Sequence, residues 1–315
     1  MSKMNPKCVY LDLKDWIGIS KDFYQRGKEE IHFPELEWIL KSVASGEICF
    51  PLVDTLFLEF YKNSTPSRRS KLAIIMSTLS LGCLIADKRS RLAYEARIAL
   101  AKMFNQSLPN KEIMIVRGLS RAFVTDEELA HLTGLNINRI SRIIEATDSV
   151  DAWIDFFDIV DEVTRKFLVN KFREANDRHT EMLEIFRKSN NKNPDLQLRI
   201  YYARLFSDTQ DTILKIMDEY GLSKNELFQL DGATLSSEIP TYEIESKLTI
   251  EAMKQKSRSL ENNDYYDIAS LAAAIPYCSV VITEAFWVDL CKRLKFDQKY
   301  NCKLLTDYKQ LPNNI

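Results

Sequence analysis

Acidic side chains recur in this sequence where the chain changes direction. Asp264 and Asp267 stand three apart at the head of an apolar run, Ile268 to Ala274, so a helix there presents both on one face. Their charge suits a helix N-terminus. Glu284 follows Thr283 at the end of Ser279–Thr283, a short, β-branched, uncharged run that predicts a strand buried on both faces. Asp12 closes a similar run, Cys8-Val9-Tyr10-Leu11, and Asp15 comes three residues later. Glu59 lies between Leu58 and Phe60 in the predicted helix 53–61, where the polar face is narrow. Each carboxylate alone has a plain explanation as a helix cap or a solvated side chain. Gathered at one place they repel one another, which raises their pKa values and costs stability. A hard divalent cation relieves that repulsion through oxygen ligands. Mg²⁺ or Mn²⁺ held there would activate water and offset the charge that develops on phosphate during phosphodiester cleavage.

The elements between these residues decide whether they meet. Cys8–Leu11 and 48–52 read as strands, each followed by a helix: Trp16, Ile19 and Phe23 share one helical face after the first, and 53–61 follows the second. Pro34–Val43 is a further helix, ended by Gly46. The stretch 70–87 reads as one buried helix opened by Thr65-Pro66, another runs from Arg91 to Phe104, and 112–117 is a short strand. After Glu284 a helix over 285–294 and a last strand over 303–306 complete an alternating α/β pattern. The fold class is therefore α/β with a central parallel sheet, in which the carboxyl ends of the strands form the ligand edge. Asp12 and Glu284 lie at that edge by position, and Glu59 follows from the strand beside it.

From about Gly118 to Asn263 only helical periodicity is found. The expected organisation is a first α/β part over 1–117, an all-helical insertion over 118–255 and a second α/β part over 256–315. The stripe Trp153-Phe157-Val160 and the pair Tyr201 and Leu205 read as core, Asp151, Asp155 and Asp158 as a solvated face, and 231–241 as loop.

The totals exclude several classes. The 315 residues, 45% apolar, suffice for a large core, and a net charge of −2 argues for no particular partner. Six cysteines without a CxxC pair suit free thiols in a reducing compartment, and three scattered histidines do not suit a histidine-built zinc site. Leu72–Ala86 is too short to span a bilayer, and the N-terminus lacks the apolar core of a signal peptide, so a cytoplasmic location is expected. Dinucleotide-binding, phosphate-loop and serine-hydrolase glycine motifs are missing from the sequence. Arg68, Arg69 and Lys71 form a basic cluster near Glu59, and Arg68 and Arg69, together with Lys14, are candidate contacts for a substrate phosphate.

The segments VYLDLKDWIGIS, FPLVDTLFLEF, NNDYYDIASLAAAIPYCSVVITEAFW and KLLT together resemble the PIN-domain-like metal-dependent ribonucleases, in an atypical bacterial subgroup. The resemblance covers about residues 5–100 and 255–310. It implies a three-layer fold around a central parallel sheet, with Asp12, Glu59 and Asp267 as principal metal ligands and Asp264 as an extra acidic neighbour. Glu284 stands where the family carries aspartate, and Lys14 stands where it carries a small polar residue. The implied activity is Mg²⁺- or Mn²⁺-dependent endonucleolytic cleavage of RNA by Asp12, Glu59, Asp264, Asp267 and Glu284. A DNA substrate and a catalytically degenerate scaffold are the alternatives, the second because Lys14 could replace the cation. Toxin and defence roles are common in that family. The helical insertion offers a surface for a homodimer or a regulatory protein; no membrane partner is implied.

Overall fold

The computed structural model describes residues 6–25, 32–63, 65–110, 114–158, 162–167, 169–170, 174, 194–223, 225–226, 232–255 and 263–315. Val160 lies outside them, as do the side chains of Asp158 and Leu205. The chain is mixed α/β and divides into two units. The first comprises Met1–Asp87, Ile115–Arg173 and Tyr277–Ile315, and the second comprises Lys88–Met114 and Glu174–Pro276. This replaces the expected single insertion at 118–255. The helices Asp126–Thr133, Ile137–Thr147 and Val150–Asp158 belong with the sheet, and Lys88–Met103 belongs with the helical unit.

In the first unit the strands are β1 (Lys7–Leu11), β2 (Ile48–Cys49), β3 (Cys83–Ile85), β4 (Ile115–Arg117), β5 (Val280–Ile282) and β6 (Lys303–Leu305). Four of them form a parallel sheet in the order β2-β1-β5-β6, with Val9 opposite Val280 and Leu11 opposite Ile282. Every residue of β5 and the last three of β1 are buried, as uncharged runs covered on both faces require. Pro51 has no N–H to give a ladder, and β2 is correspondingly short. Pairing resumes at Leu52, which accepts from the Ile85 N–H at 2.8 Å and donates its own N–H to the Cys83 carbonyl at 3.0 Å. Through that bridge the antiparallel pair β3–β4 joins the chain leaving β2.

Strand β3 corrects the expectation of one helix over 70–87. The helix α4 (Pro66–Ser80) stops at Leu81 and Gly82, both in the left-handed region with φ of 51° and 72°. Three helices precede it: α1 (Leu13–Gln25), α2 (Pro34–Ala44) and α3 (Asp54–Lys62). Helix α3 is fixed through an aromatic cluster. The Phe57 ring stacks on Phe157 with centroids 5.3 Å apart and meets Phe123 at 5.3 Å, while Phe60 lies 4.5 Å from Phe157. Trp153 and Phe157 are buried here, whereas Asp151 and Asp155 are exposed, as their spacing predicts.

The second unit has its own core, including Leu92, Leu100, Ile213, Ile216 and Tyr242. Residues 232–238, expected as loop, form a helix that buries Leu235. Two of its buried carboxylates are partnered: Glu245 meets Lys88 at 2.6 Å, and Glu95 accepts from both the N–H and the hydroxyl of Thr241.

Removing the ring that both α3 phenylalanines touch should loosen the support of Glu59. Phe157→Ala is expected to lower stability by about 3–5 kcal/mol, read as a fall in the denaturant midpoint. A midpoint unchanged from wild type would contradict this packing.

Candidate active site at the carboxyl edge of the sheet

Asp12 is held by backbone bonds on two sides. Its N–H donates to the Ile282 carbonyl of β5 at 3.1 Å, and its own carbonyl accepts from the Asp15 and Trp16 N–H groups at 3.0 and 3.2 Å. It thus ends β1 and begins α1 in one step. Glu284 starts the helix Ala285–Arg293, its carbonyl accepting from the Val288 N–H at 3.0 Å. Its side chain makes no capping bond and is exposed, so the carboxylate is not used to close the helix. Sheet order explains why these two lie at one edge. β1 and β5 are neighbours, and the connections that leave them lead to opposite sides, towards β2 and β6. That switch point opens a crevice at the carboxyl ends of the strands.

Glu59 arrives from the helix after β2. Two arginines hold the end of that helix: Arg165 donates to the Tyr61 carbonyl at 2.9 Å and Arg69 to the Asn63 carbonyl at 2.9 Å. Both are buried. The expectation of a phosphate contact therefore divides between neighbours: Arg69 is occupied by the backbone, and Arg68 is exposed. Arg165 was not singled out from sequence, and its place at the end of α3 depends on chain 104 residues away.

The electrostatics tie Asp12, Glu59 and Glu284 together. Burial pushes the Asp12 carboxyl up to about 6; Lys14 opposes the shift, and Asp15 and Glu284 add to it. Burial pushes Glu59 up to about 7, with Asp12 next among the groups that raise it and Glu284 also contributing, against Lys62. Each carboxylate disfavours ionisation of its neighbour. Lys14 does not resolve this. Its ammonium donates to Asp15 at 2.8 Å and to the Thr306 carbonyl at 2.8 Å, and no ion pair joins it to Asp12. Asp15 in turn accepts the Tyr308 N–H at 3.1 Å, so this buried aspartate ties α1 to the last turn, Tyr308–Asn313. Lys14 is accordingly a strut of the first unit.

Asp264 and Asp267 lie in the second unit, in the first turn of the helix Asp264–Ala274, which packs on Pro240–Lys254. Asp264 is buried and Asp267 half-buried.

The donor set of Asp12, Glu59 and Glu284 is all hard oxygen, which fits Mg²⁺ or Mn²⁺ and does not fit a thiophilic metal. Among the described residues, no group of three or more acidic, histidine or cysteine side chains stands close enough to enclose a metal ion. Mg²⁺ needs no such cage, since it is commonly held by one or two carboxylates and keeps several waters. No described helix is long and apolar enough to cross a membrane. Comparison with protein families, curated proteins and solved structures found no match to this chain.

A carboxyl group whose folded value is raised binds its proton more tightly folded than unfolded. Its contribution to stability is therefore lost as pH rises from the ordinary value of 4.5 through about 7 for Glu59. Glu59→Gln should raise the metal-free thermal midpoint above wild type at pH 8, with the gap closing at pH 4. Equal midpoints at both pH values would show that Glu59 is not under this repulsion.

Proposed function

We propose that this chain is a divalent-metal-dependent endoribonuclease whose chemistry is centred on Asp12, Glu59 and Glu284. One observation carries the reading: three carboxylates from separate elements interact at the carboxyl edge of a parallel sheet, two of them with raised pKa values and, among the described residues, no cation in an ion pair with Asp12. The strand order around β1, with β2 on one side and β5 and β6 on the other, supports the PIN-like assignment.

In this reading Asp12 and Glu59 would hold Mg²⁺ or Mn²⁺. Glu284, one methylene longer than aspartate and exposed, would be the third oxygen donor at that edge. The bound ion would supply an activated water and charge stabilisation at phosphorus. The protein's part is positional: β1 and β5 fix Asp12, and the arginine-held end of α3 fixes Glu59. Asp267, with Asp264 beside it, enters on the resemblance alone. The ties of Lys14 to Asp15 and Thr306 favour an active enzyme over a degenerate scaffold, because its ammonium is engaged elsewhere. RNA is preferred over DNA on the resemblance, since carboxylate-held metal reads phosphate and not sugar.

Asp12→Asn should fold normally and lose Mn²⁺-dependent cleavage of single-stranded RNA by at least about 100-fold. Calorimetric titration with Mn²⁺ should give binding to wild type and weaker binding to Asp12→Asn. Undiminished cleavage by the variant would refute the assignment, and wild type that binds no Mn²⁺ below millimolar concentration would favour the scaffold. Asp267→Asn, assayed in parallel, tests the resemblance directly: cleavage equal to wild type removes Asp267 from the site.

A further inference from the structure

We infer that a basic groove between α1 and α4 is the track on which a single-stranded nucleic acid lies as it approaches the carboxylate edge; that the strand is the RNA substrate rests on the function proposed above. The groove has a volume of about 510 Å³ and is lined by Ile17, Lys21, Tyr24, Asn63, Arg68 and Lys71, among others. Ile17, Lys21 and Tyr24 are spaced i, i+4 and i+7, one stripe of α1 distinct from its buried face at Trp16 and Ile19. The cations Lys21, Arg68 and Lys71 are exposed. None of the three forms an ion pair with a carboxylate among the described residues, although the chain as a whole carries two more acidic than basic side chains.

This arrangement suits a polyanion better than a solvated helix face. An exposed helix commonly pairs such charges with acids one turn away, as Lys247 pairs with Glu243 and Arg293 with Asp289 in this chain. Here three cations face a concavity without such partners among the described residues. The aromatic member matters as well: the Lys71 ammonium lies 5.1 Å from the centroid of the half-buried Tyr24 ring. A cationic trough with an aromatic ring on its wall is the combination by which proteins hold single strands without reading their sequence, through phosphates and base faces.

Placement within the first unit gives the groove its direction. Asn63 lies one residue beyond α3, four positions after Glu59, and α1 starts beside Asp12. From Ile17 to Tyr24 the helix rises roughly 10 Å. Arg69, next to Arg68, is buried against the Asn63 carbonyl and fixes the wall of the groove without entering it.

The test is the salt dependence of binding, measured with EDTA present so that cleavage is silent. Fluorescence anisotropy of a labelled twelve-residue oligouridylate would be followed over increasing KCl for wild type and for the combined variant Lys21→Gln, Arg68→Gln and Lys71→Gln. Loss of three phosphate contacts should flatten the plot of log K against log salt by about 2, at about 0.7 per contact for single strands. Tyr24→Ala should weaken binding about tenfold with little change of slope. Oligothymidylate should behave alike, because the groove contacts phosphate and base face. All three cations are exposed, so the combined variant should keep the wild-type circular dichroism spectrum and thermal midpoint.

A slope unchanged in the combined variant overturns the groove. So does polyglutamate that competes as well as the oligonucleotide in wild type and loses that ability in the variant, which would mark a surface for acidic protein. The two proposals fail separately. If wild type cleaves RNA and the combined variant binds it normally, the groove is wrong and the nuclease stands. If the variant loses binding while wild type neither binds Mn²⁺ nor cleaves, the groove stands and the nuclease falls.

Discussion

The parallel pairing of β1 with β5 is the contact on which the rest of this molecule depends. It is short, three paired residues on each strand, but it joins the beginning of the chain to a segment 271 positions away. The Asp12 N–H to the Ile282 carbonyl is the last bond at that edge before the two chains separate, one into α1 and the other towards Thr283 and Glu284. Asp12 and Glu284 are therefore near neighbours by backbone geometry, without a favourable side-chain contact to bring them together. Helix α3 adds Glu59 by other means: an aromatic cluster beneath it and two guanidinium groups on its final carbonyls. Strong local support of this kind can hold a group whose own electrostatics are unfavourable.

What was legible in the sequence follows from how locally each feature is encoded. β1, β5 and β6 were readable because short uncharged runs stand between polar or turn residues, and their order fixed the edge that Asp12 and Glu284 share. β3 was not readable. Leu72 to Ala86 is an almost continuous apolar run, and periodicity alone does not separate a buried helix from a helix followed by a buried strand. The break lies in the left-handed conformation of Leu81 and Gly82, and only the glycine hints at it in composition. The division into units was misplaced for a similar reason. Helical periodicity over 126–158 says nothing about which core those helices cover, and Phe57 and Phe60 place the last of them against α3.

Adjacent residues carry the same lesson at finer scale. Arg68 and Arg69 look interchangeable in sequence, yet consecutive helical positions differ by about 100° in direction. Arg69 turns inward to the Asn63 carbonyl and Arg68 outward to the groove. Lys14 and Asp15 divide their roles likewise. A lysine two residues after Asp12 suggested a built-in counter-ion, but the buried Asp15 competes for it and adds the Thr306 carbonyl as a second anchor on the same side. Asp15, which sequence offered only as a cap, is the residue that turns Lys14 away from full neutralisation of Asp12.

That partial neutralisation has a consequence for metal binding. Lys14 lowers the Asp12 value without cancelling the effect of burial, so the carboxyl still titrates near 6, and Glu59 near 7. In the function proposed above, Asp12 and Glu59 would keep part of their protons near neutral pH, and a divalent ion would have to displace them to gain ionised ligands. Metal affinity would then be coupled to pH over that range, and uptake would release protons. Full pairing of Lys14 with Asp12 would remove that coupling by supplying the positive charge permanently. The same pairing would also leave Asp15 buried beside the Tyr308 turn without its ammonium partner. Holding the lysine on Asp15 thus serves two ends: it braces α1 against the last turn of the chain and leaves the charge deficit at Asp12 to be met from outside.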